Sequence, residues 1–170
     1  LLMSEHHQQS TLFLETLRGV HQVLEAAGLH LTATFVEDRR LADAKSLPKI
    51  LGESMVDGLL LNYTHTIPAQ LDELIDRLNL PAVWINSRHR QDCVYIDDEQ
   101  AARDATRKLM DAGHRRIAYV DLAASWDQEM IGGVHYSQRD RVNGYRQAMA
   151  SAGLTPHTIM PDPPIRHDAA

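Results

Sequence analysis

Polar side chains come directly after three apolar stretches that have the composition of buried strands. The polar residues at these strand ends are Ser4, Glu5, Asn62, Tyr63 and Asn86. Their hydroxyl, carboxylate and amide groups suit the recognition of hydroxyl groups on a small molecule. In folds built on a parallel sheet, ligands bind beyond the carboxyl ends of the strands. We therefore predict that these residues contact a ligand.

Catalytic and metal-binding patterns are missing from the sequence. Ten histidines are present, but His6 and His7 are adjacent and so face apart on either a helix or a strand. No HExxH or CxxC pattern occurs, and no His-carboxylate triplet has the spacing of metal ligands. The phosphate loops GxGxxG and GxxxxGK(S/T) and the hydrolase elbow GxSxG are also absent. We expect no metal, no cofactor and no catalysis.

Length and composition indicate a globular protein. With 170 residues, of which 44% are apolar, the chain can form one large domain or two small lobes. The formal net charge of −6 argues against a surface that binds nucleic acid by itself, because such binding depends on clustered Lys and Arg. No apolar run approaches the roughly 20 residues that span a bilayer, and no secretion signal is visible. The single Cys93 fits a reducing compartment, so we expect a cytoplasmic protein without membrane contact.

Residues 94–120 predict a strand, a helix and a second strand, and the rest of the chain is organised around them. Asp97 or Asp98 can accept hydrogen bonds from the first helical turn, and Gly113 can end the helix in a left-handed conformation. The expected apolar stripe of this helix is Ala102, Ala105, Leu109 and Ala112. We expect a right-handed crossover within one parallel sheet.

Strands and helices alternate through the remaining sequence. The predicted helix faces are Phe13, Leu17, Val20, Leu24 and Ala27; Leu47, Ile50, Leu51 and Met55; Leu71, Leu74, Ile75 and Leu78; and Val142, Tyr145, Met149 and Ala152. Strands are predicted at residues 1–3, 29–36, 56–61, 82–85 and 158–160, with Trp84 in the core. Residues 121–138 form a long irregular stretch, and loops of that length are more often functional than idle.

This order of elements does not fit one compact sheet in a chain of this length. Two consecutive doubly wound parallel sheets explain it better, so we predict an α/β protein with lobes at residues 1–96 and 97–170. The hinge is expected near residues 94–98, and a ligand is expected in the cleft between the lobes. The sequence begins inside an apolar segment and ends without a predicted helix or strand, so we expect a fragment whose second lobe is incomplete.

Six short motifs carry a family resemblance. They are VDGLLL at 56–61, LPAV at 80–83, VxxD at 94–97, GHxxI at 113–117, RxxGY at 141–145 and AGL at 152–154. In this order the chain resembles the effector-binding core of the lactose-repressor (LacI/GalR) family of bacterial transcription regulators. The resemblance covers essentially the whole chain.

The resemblance implies a periplasmic-binding-protein-like (type I) pair of lobes that closes on a sugar, nucleoside or similar small effector. In that family a helix-turn-helix headpiece precedes the core and binds operator DNA as a homodimer, with helices of the first lobe forming the dimer surface. Headpiece and most of the second lobe are missing from this sequence. Operator binding, repression included, is therefore expected only through a headpiece that lies outside this chain.

Four further residues are candidate ligand contacts, Arg141 and Asp97 through the resemblance and Trp126 and Tyr136 as aromatic residues of the long irregular stretch. Arg141 matches an arginine that commonly contacts the effector, and its fork of donors suits vicinal hydroxyls or a carboxylate; the alternative is a surface arginine paired with Asp140. Asp97 matches the family aspartate, although a helix cap is its main expected role. Trp126 and Tyr136 can stack on a sugar ring or, alternatively, pin their loop to its own lobe.

Two other functions share parts of this pattern. A periplasmic sugar-binding protein of a transporter has the same two-lobe fold, but the GHxxI and RxxGY motifs favour the regulator. A flavodoxin-like enzyme is the third possibility, and the missing phosphate loop counts against it.

Overall fold

A computed structural model describes residues 1–4, 12–36, 56–62, 69–89, 92–121 and 135–160. These residues belong to two compact units, Leu1–Tyr95 and Ile96–Ala170. The predicted helix face at Leu47, Ile50, Leu51 and Met55 lies outside the described residues, as do Glu5, Tyr63 and Trp126.

The described residues of the first unit form a parallel sheet of five strands. Its elements are β1 (Leu2–Ser4), α1 (Leu14–Ala26), β2 (Thr34–Val36), β3 (Leu59–Asn62), α2 (Ala69–Leu78), β4 (Ala82–Ile85) and β5 (Cys93–Val94). The strand order is β2-β1-β3-β4-β5, and every pairing is parallel. This order confirms the α/β prediction for the first part of the chain.

The core of the first unit lies between the sheet and α2. Leu61 and Leu71 are completely buried, and Trp84 is buried beside them, as predicted. On α2, three of the four residues of the predicted face are buried. Leu78 is 45% exposed, because it is the last residue of the helix and lies beyond the sheet-facing turns.

Helix α1 lies where the sequence predicts it but is only shallowly packed. Leu17, Val20 and Leu24 are its half-buried residues, whereas Phe13 and Ala27, at the two ends of the predicted face, are exposed. Gly28 ends the helix at φ +72°, which confirms the predicted stop. The strand predicted at 29–36 is shorter than expected, since only Thr34–Val36 pairs with β1.

In its described residues, 96–121 and 135–160, the second unit has two helices and two parallel strands. Its described elements are α3 (Asp98–Asp111), β6 (Ala118–Val120), α4 (Tyr136–Ser151) and β7 (His157–Ile159). β6 and β7 pair in parallel, and α4 lies in the connection between them. Gly153 follows α4 at φ +67° and confirms the predicted end of that helix.

The predicted crossover at residues 94–120 is wrong. β5 pairs with β4 in the sheet of the first unit, whereas β6 pairs with β7 in the sheet of the second. α3 therefore connects two sheets instead of crossing over within one. The local pattern correctly indicates strand, helix and strand, but partners of a strand are chosen by long-range pairing that no local pattern contains.

The predicted apolar stripe of α3 is also wrong. Ala105, Leu109 and Ala112 are exposed, Leu109 by 44%, and only Ala102 is half-buried. The buried residues of this helix are Asp98 and Thr106. The reason is that α3 packs against α4 through a face whose polar groups are hydrogen-bonded, such as the Thr106 hydroxyl that donates to the carbonyl of Ala102 at 2.7 Å.

Helix α4 begins earlier than predicted. Its first residue is Tyr136, so residues 136–138 are helical and not part of the irregular stretch, whose residues 122–134 lie outside the described structure. Tyr145 and Met149 of the predicted face are buried, while Ala152 is exposed. Ser137, Asp140 and Gly144 are buried as well, which a count of apolar residues does not reveal.

Candidate functional site

Arg141 and Asp98 connect the two helices of the second unit. The guanidinium Nε donates a hydrogen bond to the Asp98 carboxylate at 2.7 Å, and Asp98 is the first residue of α3. The Asp98 side chain is 7% exposed, whereas that of Arg141 is 51% exposed. Arg141 is thus held at one edge of its guanidinium while the rest of the side chain reaches the surface. The alternative pairing with Asp140 is not what the structure records for this nitrogen.

Gly144 explains the middle of the RxxGY motif. A Cβ atom added there would overlap the carbonyl oxygen of Glu99 and lie 3.1 Å from the Cβ of Ala102. α4 therefore approaches the backbone of α3 without an intervening side chain. The Glu99 side chain strengthens this contact, because its carboxylate accepts a hydrogen bond from the Gln147 amide at 2.9 Å.

Tyr145 completes the motif by joining the two strands of the small sheet. Its hydroxyl donates to the carbonyl of Ile117 at 2.8 Å and accepts the N–H of His157 at 2.8 Å. Ile117 directly precedes β6, and His157 is the first residue of β7. Arg141, Gly144 and Tyr145 stand at positions i, i+3 and i+4 and so lie on one side of α4, where they bring the start of α3 and the small sheet to the same helix.

Asp97 caps α3, as predicted. Its carboxylate accepts the backbone N–H of Gln100 at 3.0 Å. From the sequence alone, either Asp97 or Asp98 could be the helix cap. The structure separates their roles, because Asp98 pairs with Arg141. Contact of Asp97 with a ligand stays a prediction.

The GHxxI motif ends α3 and begins β6. Gly113 adopts φ +93°, and the N–H of His114 donates to the carbonyl of Leu109 at 3.0 Å. The Arg115 guanidinium donates to a further terminal carbonyl, that of Met110, at 2.8 Å. Ile117 then enters the core. This motif positions the strand and contributes no side chain to the candidate site.

Tyr119 and Asp121 bring further polar groups to the carboxyl end of β6. Burial raises the pKa of the Tyr119 phenol, and the Asp121 carboxylate raises it further. The positive charge of Arg141 lowers this pKa, whereas the negative charge of Asp98 raises it. These four side chains therefore share one electrostatic neighbourhood. Asp98, Tyr119 and Asp121 were not among the predicted ligand contacts. Asp98 and Asp121 both lie in segments that follow predicted strands, so the strand-end rule covers both, although neither was chosen.

Three predicted residues meet at one edge of the first sheet. Ser4 is the last residue of β1, Asn62 is the last of β3, and Asn86 directly follows β4. Since these strands are adjacent and parallel, their carboxyl ends lie side by side. Asn62 is fully buried, and Asn86 adopts φ +56°, while its N–H donates to the carbonyl of Val94 at 2.7 Å.

His89 and Asp72 add an interaction at this edge that the sequence did not indicate. His89 Nε2 lies 2.7 Å from a carboxylate oxygen of Asp72, which is in the first turn of α2. The His89 ring also contacts the indole of Trp84, with 4.4 Å between ring centroids. The pair connects α2 with the segment that follows Asn86. Its members are 17 positions apart in the sequence, so no short motif indicates the pair.

Tyr136 is the described member of the two aromatic residues predicted to stack on a sugar. It is the first residue of α4, and its ring contacts that of His135 with centroids 4.3 Å apart.

Among the described residues, no group of three metal-ligating side chains occurs, and no helix is long and apolar enough to cross a membrane.

The sequence matches a family model described as periplasmic binding proteins and sugar binding domain of LacI family over residues 2–165. The HTH-type transcriptional regulator GntR of Escherichia coli K12 is 32% identical over 153 residues, which are 87% of this chain and 42% of that protein. The regulator CelR of Thermobifida fusca is 29% identical over 164 residues, 91% of this chain and 44% of CelR. The chain thus spans less than half the length of these relatives.

Solved structures agree at the level of the fold. A LacI-family regulator from Mycobacterium smegmatis has a TM-score of 0.63 and 24% identity, covering 94% of this chain and 55% of that one. A complex of CelR with cellobiose has a TM-score of 0.64 and 24% identity, covering 92% and 48%. The resemblance inferred from the six motifs and the periplasmic-binding-protein-like α/β fold are both confirmed. The chain belongs to the LacI family, within the sugar-binding domain that this family shares with periplasmic binding proteins.

Proposed function

We propose that this chain is the effector-sensing core of a LacI-type transcriptional regulator. It binds a sugar or a related polyol or nucleoside, and binding alters operator affinity through a helix-turn-helix that belongs to the full-length protein. The observation that carries this proposal is the family match over residues 2–165, joined by relatives that are transcriptional regulators. The complex of CelR with cellobiose supports a saccharide as effector.

The proposed effector contacts are distributed over two lobes, residues 1–96 and 97–170. The contacts proposed in the first lobe are Ser4, Glu5, Asn62, Tyr63 and Asn86, and those in the second are Asp97, Trp126, Tyr136 and Arg141. Support comes from the common sheet edge shared by Ser4, Asn62 and Asn86, and from the surface position of the anchored Arg141 guanidinium. Ligands of open α/β sheets bind at such edges.

Effector and operator binding are coupled through differential affinity. An effector changes operator affinity only if it binds one conformation of the protein more tightly than the other. By linkage, operator DNA must then change the affinity for the effector by the same factor. The proposed role is binding and not catalysis, and its proposed location is the cytoplasm, where the operator is.

We also propose that the full-length protein is a homodimer with α1 at or near the interface. The support is the exposure of three large apolar side chains, Phe13 at the N-cap of α1 and Leu14 and Val23 within it. Analytical ultracentrifugation of the full-length protein tests this proposal, and a stable monomer at micromolar concentration would contradict it.

A sugar-binding protein of a transporter is the second candidate, because the family description also covers periplasmic binding proteins. The regulators among the relatives favour the first proposal. The deciding experiment measures binding of the full-length protein to its own upstream DNA, with and without a panel of sugars, polyols and nucleosides. Operator binding that one compound class changes is expected. Sugar binding with no DNA binding under any condition would establish the transporter alternative.

A further inference from the structure

We propose that Asp98 determines effector specificity by making Arg141 a hydrogen-bond donor for uncharged hydroxyl groups instead of a counter-ion for an acid. This inference rests on the proposed function and names the class of effector, a neutral polyhydroxy compound. Asp98 acts through Arg141 and is thus a positioning residue.

The geometry leaves Arg141 partly engaged. Asp98 accepts from Nε at 2.7 Å, at one edge of the guanidinium. A guanidinium has five N–H donors in a rigid plane, and this bond uses one of them. Because Asp98 holds one edge of the plane, the direction of the remaining donors is set before a ligand arrives.

The charge balance around this pair favours a neutral ligand. The Asp98 carboxylate compensates the guanidinium, and it is itself buried, so solvent screens the pair only partly. A carboxylate on the effector would therefore meet a guanidinium whose charge is already balanced by a buried anion.

A helix-capping role does not account for the side chain of Asp98. Asp97 already caps the first turn by accepting the N–H of Gln100, and Glu99 adds another acidic residue there. The Asp98 carboxylate instead reaches across to α4, to a residue 43 positions away. An acid whose only task was to balance the helix dipole would not need that partner.

Replacement of Asp98 by Asn tests the inference in the full-length protein. Asn keeps the shape and the oxygen acceptor for Arg141 but removes the charge. Calorimetry would measure affinity for matched pairs of probes with the same carbon skeleton, a neutral aldose or alditol and the corresponding aldonate. We expect the unmodified protein to prefer the neutral member, and Asp98→Asn to shift the ratio of affinities toward the aldonate by about tenfold.

Two further variants sharpen the test. Asp104→Asn removes an exposed acid of the same helix, 3.7 Å from Arg107, and should leave the ratio unchanged. Arg141→Gln leaves the Asp98 carboxylate without its cation, and the unbalanced negative charge should weaken binding of the aldonate more than binding of the neutral compound. This variant replaces Asp98→Asn in the test if Asp98→Asn does not fold. An aldonate preference in the unmodified protein, or an unchanged ratio in both site variants, overturns the inference while effector binding stands. Failure of every probe pair to bind or to change operator affinity overturns the proposed function together with it.

Discussion

Gly144 in α4 lies so close to the main-chain carbonyl of Glu99 in α3 that no side chain can stand between the two helices. This contact sets the distance between the helices, and the same helix pair carries Asp98 and Arg141 at one end. Gly144 has no side chain, and the close helix approach that it permits allows Arg141 to reach Asp98.

Replacement of Gly144 by Ala should destabilise the protein by about 1–3 kcal/mol, because overpacking at a backbone contact outweighs the better helix propensity of Ala. Urea denaturation followed by circular dichroism measures the free energy of unfolding. Gly19→Ala in α1 is the matched control, since a Cβ there has no neighbour within 4 Å. It should stabilise the protein by about 0.5–1 kcal/mol. Equal effects of the two substitutions would contradict the close helix contact.

Replacement of Arg141 by Ala should lower effector affinity by a charge-assisted hydrogen bond, on the order of 1.5–3 kcal/mol. Folding stability should also fall, because the buried Asp98 carboxylate loses its donor. Titration calorimetry on the full-length protein and thermal unfolding without effector separate the two effects. Arg139→Ala, a change at an exposed neighbour, should alter neither. Unchanged affinity in Arg141→Ala would remove this residue from the effector site.

Replacement of Asp97 by Ala should destabilise α3 by about 1 kcal/mol, since the Gln100 N–H loses its acceptor. Asp97→Asn should be nearly neutral for stability, because Asn is an equally good N-cap. Chemical denaturation of both variants measures the difference. If both variants lose effector affinity, Asp97 contacts the ligand in addition to capping the helix. Equal destabilisation by Asn and Ala would contradict the hydrogen-bonded cap and assign the effect to the charge of Asp97 at the helix N-terminus.

Stability should decline at alkaline pH through Tyr119. Burial and the Asp121 carboxylate raise the pKa of its phenol above the ordinary value of 10.0. The folded state then holds this proton more tightly than the unfolded state does. Its contribution is full below the unfolded pKa and is lost as pH rises through the higher folded pKa. Phenolate absorbance measured against pH, with Tyr119→Phe to identify the signal, checks this; titration of Tyr119 below the exposed tyrosines would contradict it.

Strand-end rules predicted much of the candidate site in the first unit. Ser4, Asn62 and Asn86 lie at one sheet edge because β1, β3 and β4 are adjacent, which follows once the strands and their parallel order are recognised. The pairing of His89 with Asp72 was missed because it depends on how α2 packs against the sheet. Glu5, Tyr63 and Trp126 stay predictions, as does ligand contact by the other six residues.

The α3 helix shows where pattern reading fails. Ala105 and Leu109 suit an apolar face, yet the helix buries Asp98 and Thr106 instead. Hydrophobic periodicity assumes that burial follows side-chain polarity, and that assumption fails where polar groups are hydrogen-bonded and the neighbouring helix is close.

The sequence by itself determined the positions of α1, α2 and α3, the cap at Asp97, the glycine stops, the parallel α/β class and the family, because these depend on interactions between residues near one another in the chain and on short motifs. Capping by Asp97 and the left-handed Gly28, Gly113 and Gly153 are of this kind. Only the tertiary structure decided that β5 and β6 belong to different sheets and that Arg141 pairs with Asp98. Both depend on the packing of segments far apart in sequence, which local propensity does not contain.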